Sequence, residues 1–152
     1  MDWQYPDPYL YRLTVTADNI DLLNHANNTA YIEWCQSAAW SHSESLGIPV
    51  SEYPEIDRAM AVVEAHYQYK APALIQDVLI VGTWLTFSDH RMRMTRVFEI
   101  KRERDGQTLL SGEWKLVCIR VSDGKPIRMP TRFKACYDPA VIMPDDVQPP
   151  RD

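Results

Sequence analysis

The chain of 152 residues is short of glycine, with 5, and of cysteine, with 3. Cys35, Cys118 and Cys136 are far apart and odd in number, so they make neither a disulfide framework nor a CxxC metal or redox pair. That pattern fits a reducing cytoplasm, the expected location. There is no P-loop and no GxGxxG run, which argues against a glycine-rich nucleotide cradle. No stretch approaches the roughly 18–20 consecutive apolar residues of a membrane span. The opening Met1-Asp2-Trp3-Gln4-Tyr5-Pro6-Asp7-Pro8 lacks the basic and apolar regions of a secretory signal. Basic charge is in deficit too: 16 Lys and Arg stand against 21 Asp and Glu, a net charge of −5. Bulk electrostatic attraction to nucleic acid wants the opposite sign, so neither nucleic acid nor membrane is an expected partner.

What is present is material for a core. Hydrophobic residues make up 45%, including five Trp, eight Tyr and three Phe. No internal repeat or linker divides the chain, so a single domain is expected over 1–142. The Pro- and Asp-rich tail 143–152 is expected to fray.

Tyr11 to Thr16 alternates apolar and polar residues and reads as a short strand. From Asn28 to Leu46 the period changes to that of a helix, with Tyr31, Trp34, Cys35, Ala38, His42 and Leu46 on one face. Asn27 or Asn28 suits the N-cap, and Gly47 followed by Pro49 suits the stop. After residue 57 period two takes over. Ala59, Ala61, Val63, Ala65, Tyr67 and Tyr69 are expected on one strand face, and Met60, Val62, Glu64, His66, Gln68 and Lys70 on the other. Further strands are expected over 78–88, 93–104 and 108–121. Asp105-Gly106 signals a hairpin and Asp123-Gly124 a turn. Gly82 and Gly112, inside strands, are expected to mark bulges or bends. The order of elements predicts a two-layer α+β domain: one long central helix wrapped by a curved antiparallel sheet of about five strands. Trp84 and Trp114 on an uncovered far face of that sheet would favour oligomerisation.

One segment concentrates polar residues: Asp18-Asn19-Ile20-Asp21-Leu22-Leu23-Asn24-His25-Ala26-Asn27-Asn28. It lies where the helix begins. Asx turns and capping would use such residues structurally. A helix N-terminus also offers free N–H groups with partial positive charge, which polarise a carbonyl and stabilise its oxyanion. A carboxylate beside it attacks that carbonyl or activates a water.

The stretch Asn19-Ile20-Asp21-Leu22-Leu23-Asn24-His25-Ala26-Asn27-Asn28-Thr29-Ala30-Tyr31 resembles the D-x-D-x-x-G-H-x-N-N-x-x-Y signature of hot-dog-fold thioesterases of the 4-hydroxybenzoyl-CoA thioesterase type. Tyr67 to Asp77 resembles the Y-x-x-P-x-x-x-x-D connection of that family, and Gly124 to Pro130 is similar to its closing G-x-P-x-x-x-P. Two positions depart. Asn24 stands for the usual Gly, and asparagine tolerates left-handed backbone angles; Asn19 stands for the first Asp.

The resemblance implies an acyl-CoA thioesterase of the hot-dog fold. Asp21 takes the place of the catalytic carboxylate, as nucleophile or general base, and Asn28 the place whose backbone N–H points at the carbonyl. His25 and Asn27 match further polar positions of the motif; His25 would orient the loop, bind substrate or assist proton transfer. Coenzyme A enters as part of the substrate, and neither a further cofactor nor a metal is expected. Its phosphates call for cations, and Arg91, Arg93, Arg102 and Arg104, with Arg96 and Lys101 between them, are the candidates; a solvated strand face is the plain alternative. Glu64 and His66 read as a polar pair at an interface. An acyl-ACP thioesterase and a non-catalytic acyl-ligand binder are the alternatives for function, and a homodimer or homotetramer is the implied assembly.

Overall fold

Asn27 starts the long helix. Its backbone is extended (φ −62°, ψ 142°) and its side chain accepts from the Thr29 N–H, satisfying one of the donors that a helix start leaves free. The helix, α1, runs Asn28–Ser45, about 27 Å at 1.5 Å per residue. Gly47 follows at φ +96°, the left-handed backbone that ends helices. The buried face carries Ala30, Tyr31, Trp34, Cys35, Ala38, Ala39, His42 and Ser43. Its many small side chains let α1 lie close to the sheet.

The computed structural model describes residues 1–142, so the tail expected to fray, 143–152, lies outside the described residues. The strands are β1 (Tyr9–Thr14), β2 (Arg58–Tyr69), β3 (Val78–Ser88), β4 (Arg93–Arg102) and β5 (Thr108–Arg120). They form one antiparallel sheet in the order β1-β3-β4-β5-β2. Two short helices, α2 (Tyr53–Ile56) and α3 (Thr131–Tyr137), complete the fold. α3 has no counterpart among the sequence expectations; Phe133 and Tyr137 are its buried residues and fall one turn apart on too short a run to show a period.

Three bulges reshape the sheet. In β2, Val62 pairs with Leu116 and Glu64 with Lys115, which leaves Val63 unpaired. An extra residue exchanges the two faces of a strand. Met60 therefore packs on the core before the bulge and Tyr67 after it, which corrects the expectation of one odd-numbered face along the whole strand. The register also shifts at Leu85/Phe87 and at Ile100/Lys101. None of these shifts is at Gly82 or Gly112. Those two are needed for close approach instead: a Cβ at Gly82 would lie 2.9 Å from the Trp3 ring, and one at Gly112 would lie 3.1 Å from the Tyr67 ring.

The far face of the sheet also differs from expectation. Trp114 belongs to the α1 side, where its indole N–H donates to the Tyr67 hydroxyl at 2.7 Å. Trp84 does lie on the far face, but the N-terminal segment covers it. Trp3 and Tyr5 meet it edge-on, and its indole N–H donates to the Pro6 carbonyl at 2.8 Å. Beside this patch lies a polar cleft of about 1060 Å³ that includes Glu99, Lys101 and Glu113. An uncovered aromatic face is therefore no argument for oligomerisation here.

Candidate active site

The segment before α1 folds into a tight loop. The Asp21 N–H donates to the His25 carbonyl at 2.9 Å, and the Asn24 N–H to the Asp21 carbonyl at 3.1 Å. Asn24 takes φ +62°, the left-handed backbone for which glycine or asparagine is suited. The Asp21 carboxylate holds the turn through one oxygen: Oδ1 accepts from the Leu23 N–H at 2.8 Å and the His25 N–H at 3.4 Å. The structural and chemical readings of Asp21 are thus compatible, because Oδ2 takes no partner among the described residues.

The loop is tied to its surroundings at three points. The Asn27 N–H donates to the Asn19 carbonyl at 2.7 Å, and the Ala26 N–H to the Ala73 carbonyl at 2.9 Å. The Ala73 N–H donates to the Tyr31 hydroxyl at 2.9 Å. The second sequence motif, which contains Ala73, is thereby packed against the first. Asn19 has a structural part: its Oδ1 accepts from the Thr16 N–H at 2.9 Å.

Asp21 and His25 share one closed turn, and Asn27 and Asn28 begin α1 directly after it. Asn27 caps α1. Asn28 is the first helical residue and is exposed, and its N–H has no acceptor among the described residues. The His25 side chain is exposed and its main chain closes the Asp21 turn. Leu22 and Leu23 project from the loop tip, 101% and 75% exposed, with Leu74 and Ile75 also exposed. The cysteines offer no competing nucleophile on α1 or β5: both Cys35 and Cys118 are fully buried, and burial pushes both thiols up, that of Cys118 to about 11. Glu64 and His66 pair at 2.8 Å on the exposed face of β2.

The arginines do not form one group in this chain. Arg93 opens β4 and Arg102 closes it, about 30 Å apart at 3.4 Å per residue. Arg91, Arg93 and Arg104 are exposed. Arg102 is buried and already neutralised, with Nη1 3.4 Å from Asp77 and Nε 3.2 Å from Asp105. Closeness in sequence misled because a strand spreads neighbouring residues over its full length and two faces. Among the described residues no three of His, Cys, Asp and Glu stand together as a metal site, and no helix is long and apolar enough to cross a membrane.

Arg96, counted among the phosphate candidates, lies in a different setting. Arg96 points to the α1 side of β4, 3% exposed, and its Nη1 donates to His42 Nδ1 at 2.9 Å and to Thr83 Oγ1 at 3.1 Å. Burial and the Arg96 charge push His42 down to about 3, so the imidazole is neutral and accepts at Nδ1. A sequence signal existed: Arg96 interrupts the alternate apolar positions Met94, Phe98 and Ile100.

Comparison with known proteins completes the picture. A family model described as the thioesterase-like superfamily matches residues 15–136. The chain belongs to the thioesterase-like superfamily. As a thioesterase, it is a thioester hydrolase, and its helix-and-sheet arrangement is the hot-dog fold. Among solved structures, Slr0204, a 1,4-dihydroxy-2-naphthoyl-CoA thioesterase from Synechocystis, is similar at TM-score 0.78 and 22% identity, covering 87% of this chain and 97% of that one. YbaW, a probable thioesterase from Escherichia coli, is similar at TM-score 0.73 and 21% identity, over 88% of this chain and 99% of that one. SAV2348 from Staphylococcus aureus, solved in complex with CoA, is similar at TM-score 0.79 and 19% identity, over 94% and 91%. A search of curated proteins finds no match.

Proposed function

We propose that this thioesterase hydrolyses acyl-CoA, with Asp21 as its catalytic carboxylate and the α1 N-terminus as its oxyanion site. The observation that carries this reading is the turn immediately before α1, which holds the Asp21 carboxylate through one oxygen and leaves the other without a partner among the described residues, a few residues ahead of the exposed helix start at Asn28. The acyl carbonyl docks on that N–H, where the helix end stabilises the negative charge that develops on oxygen. Asp21 attacks the carbonyl carbon or takes a proton from an attacking water. The C–S bond then breaks and the thiolate leaves, taking up the proton that the attacking water gives up; on the nucleophilic route that water hydrolyses the Asp21–acyl anhydride and frees the acid and the carboxylate. The exposure of His25 within the same loop supports a part for it in contacting the substrate. CoA as the carrier is supported by the CoA complex of SAV2348 and by the CoA thioester named for Slr0204. The cytoplasm, where cysteines stay reduced, fits its three free cysteines.

We further propose a dimer formed through β2. That strand is an edge of the sheet, and Val62 and Val63 at its bulge are 46% and 60% exposed. An edge strand with exposed apolar residues is a template for pairing. Antiparallel pairing about this point brings the α1 N-terminus of one copy towards the other end of β2 in its partner.

The test is Asp21→Asn in an assay of free-thiol release with a series of acyl-CoA and matched acyl-ACP substrates. The turnover number is expected to fall by about 100-fold or more with KM little changed. Activity near that of the wild type would remove Asp21 from the chemistry, and preference for acyl-ACP would replace CoA as the carrier.

A further inference from the structure

A cavity of about 300 Å³ opens between α1 and the sheet. Its rim includes the exposed Trp40 of α1 and Val62 of β2. Apolar side chains, Met60, Trp114 and Leu116 among them, line its body. Arg96 also lines it, beside the hydroxyls of Tyr53 and Tyr137, which are 2.7 Å apart.

Arg96 is an expensive residue to place there. Its partners, His42 and Thr83, are neutral, and it forms no ion pair among the described residues. The other buried cations do: Lys101 lies 3.2 Å from Glu99, and Arg102 lies 3.4 Å from Asp77. Burial draws Arg96 down only to about 10, so it carries its charge at neutral pH. A buried charge without a counter-charge keeps its desolvation penalty, and an apolar side chain of similar size would serve packing better. Only Nη1 is used in hydrogen bonds; Nε and Nη2, the edge that grips a carboxylate with two parallel bonds, take no acceptor among the described residues.

We propose that this cavity receives the acyl group and that Arg96 pairs with a carboxylate at its far end, so that the preferred substrates are half-thioesters of dicarboxylic acids. The inference rests on the thioesterase reading above and adds the class of acyl group. The apolar body takes the methylene chain, and the thioester end lies at the Trp40–Val62 rim, on the β2 side where the second copy is placed. A volume near 300 Å³ is at the small end of ligand cavities and suits a short to medium chain.

The test compares suberoyl-CoA with octanoyl-CoA, which have the same length and differ in the terminal carboxylate. In the wild type, kcat/KM is expected to favour suberoyl-CoA by about thirtyfold or more. In Arg96→Met that ratio is expected to collapse to about one or below. An equal ratio in both enzymes overturns the carboxylate site and leaves thioester hydrolysis standing. A second measurement needs neither turnover nor an Arg96 variant: calorimetric titration of the wild type with monomethyl suberate and with dimethyl suberate. Binding of the monoester alone supports the site, even if no acyl-CoA is cleaved and the hydrolysis reading fails. Equal binding of both esters, or of neither, overturns it.

Discussion

Asn24 and Asp21 hold one turn by different means. Asn24 supplies a backbone angle of +62°, and Asp21 accepts two N–H groups through a single oxygen. Both residues were legible in the sequence, because the short polar side chains that make such turns are few in kind. His42 was legible only as a member of the buried helix face. Its pairing with Arg96 joins residues 54 apart in sequence, and no local pattern announces that. The pairing has a consequence for stability. His42 is lowered from 6.5 to about 3 by burial and the Arg96 charge, so the unfolded chain takes up this proton first. Stability is complete above about pH 6.5 and falls as pH drops towards about 3, at roughly 1.4 kcal/mol per pH unit. Thermal melts of His42→Gln against the wild type between pH 7 and pH 4 are expected to show the wild type losing Tm more steeply.

Long periodic elements matched their sequence patterns closely. The helix expected over 28–46 is Asn28–Ser45, and the strand expected over 78–88 is Val78–Ser88. What periodicity did not reveal was the point at which a strand changes face. The bulge at Val63 turns Met60 and Tyr67 to the same side, and bulges are set by pairing between strands, which a single strand does not encode. The arginines of β4 carry the same lesson. Arg102 joins the strand end to Asp77 before β3 and to Asp105 and Gln107 in the β4–β5 hairpin. Arg102→Glu would place a second acid beside Asp77 in a buried setting. It is expected to lower stability by about 3–5 kcal/mol, measured by chemical denaturation. Arg104→Glu, fully on the surface, is expected to change stability by less than about 0.5 kcal/mol.

For the whole molecule, the N-terminal segment and the β2 edge divide two tasks. Trp3 and Tyr5 close the far face of the sheet over Trp84, while β2 leaves Val62 and Val63 open at the other margin. With β2 as the dimer contact, Val63→Asp puts two like-charged, desolvated carboxylates at the pairing centre. The expected result is a shift to monomer in analytical ultracentrifugation, together with loss of thioesterase activity because the proposed thioester end of each cavity opens onto the β2 contact. A monomeric variant with full activity would confine the whole reaction to one chain.

The residues alone determined the elements, the α+β class and the polar loop around Asp21, since each depends on short-range rules: helix and strand periods, capping and turn chemistry. They also carried the family resemblance, which is a matter of spacing. Only the tertiary structure decided that Arg102 is a buried structural cation while Arg96 faces a cavity, and that Trp84 is covered while Trp114 lies in the core. Those outcomes depend on register, bulges and which segment lies over which face. The physical reason is that the cost of a buried charge or an exposed ring is set by the neighbours that packing brings to it, and these come from distant parts of the chain.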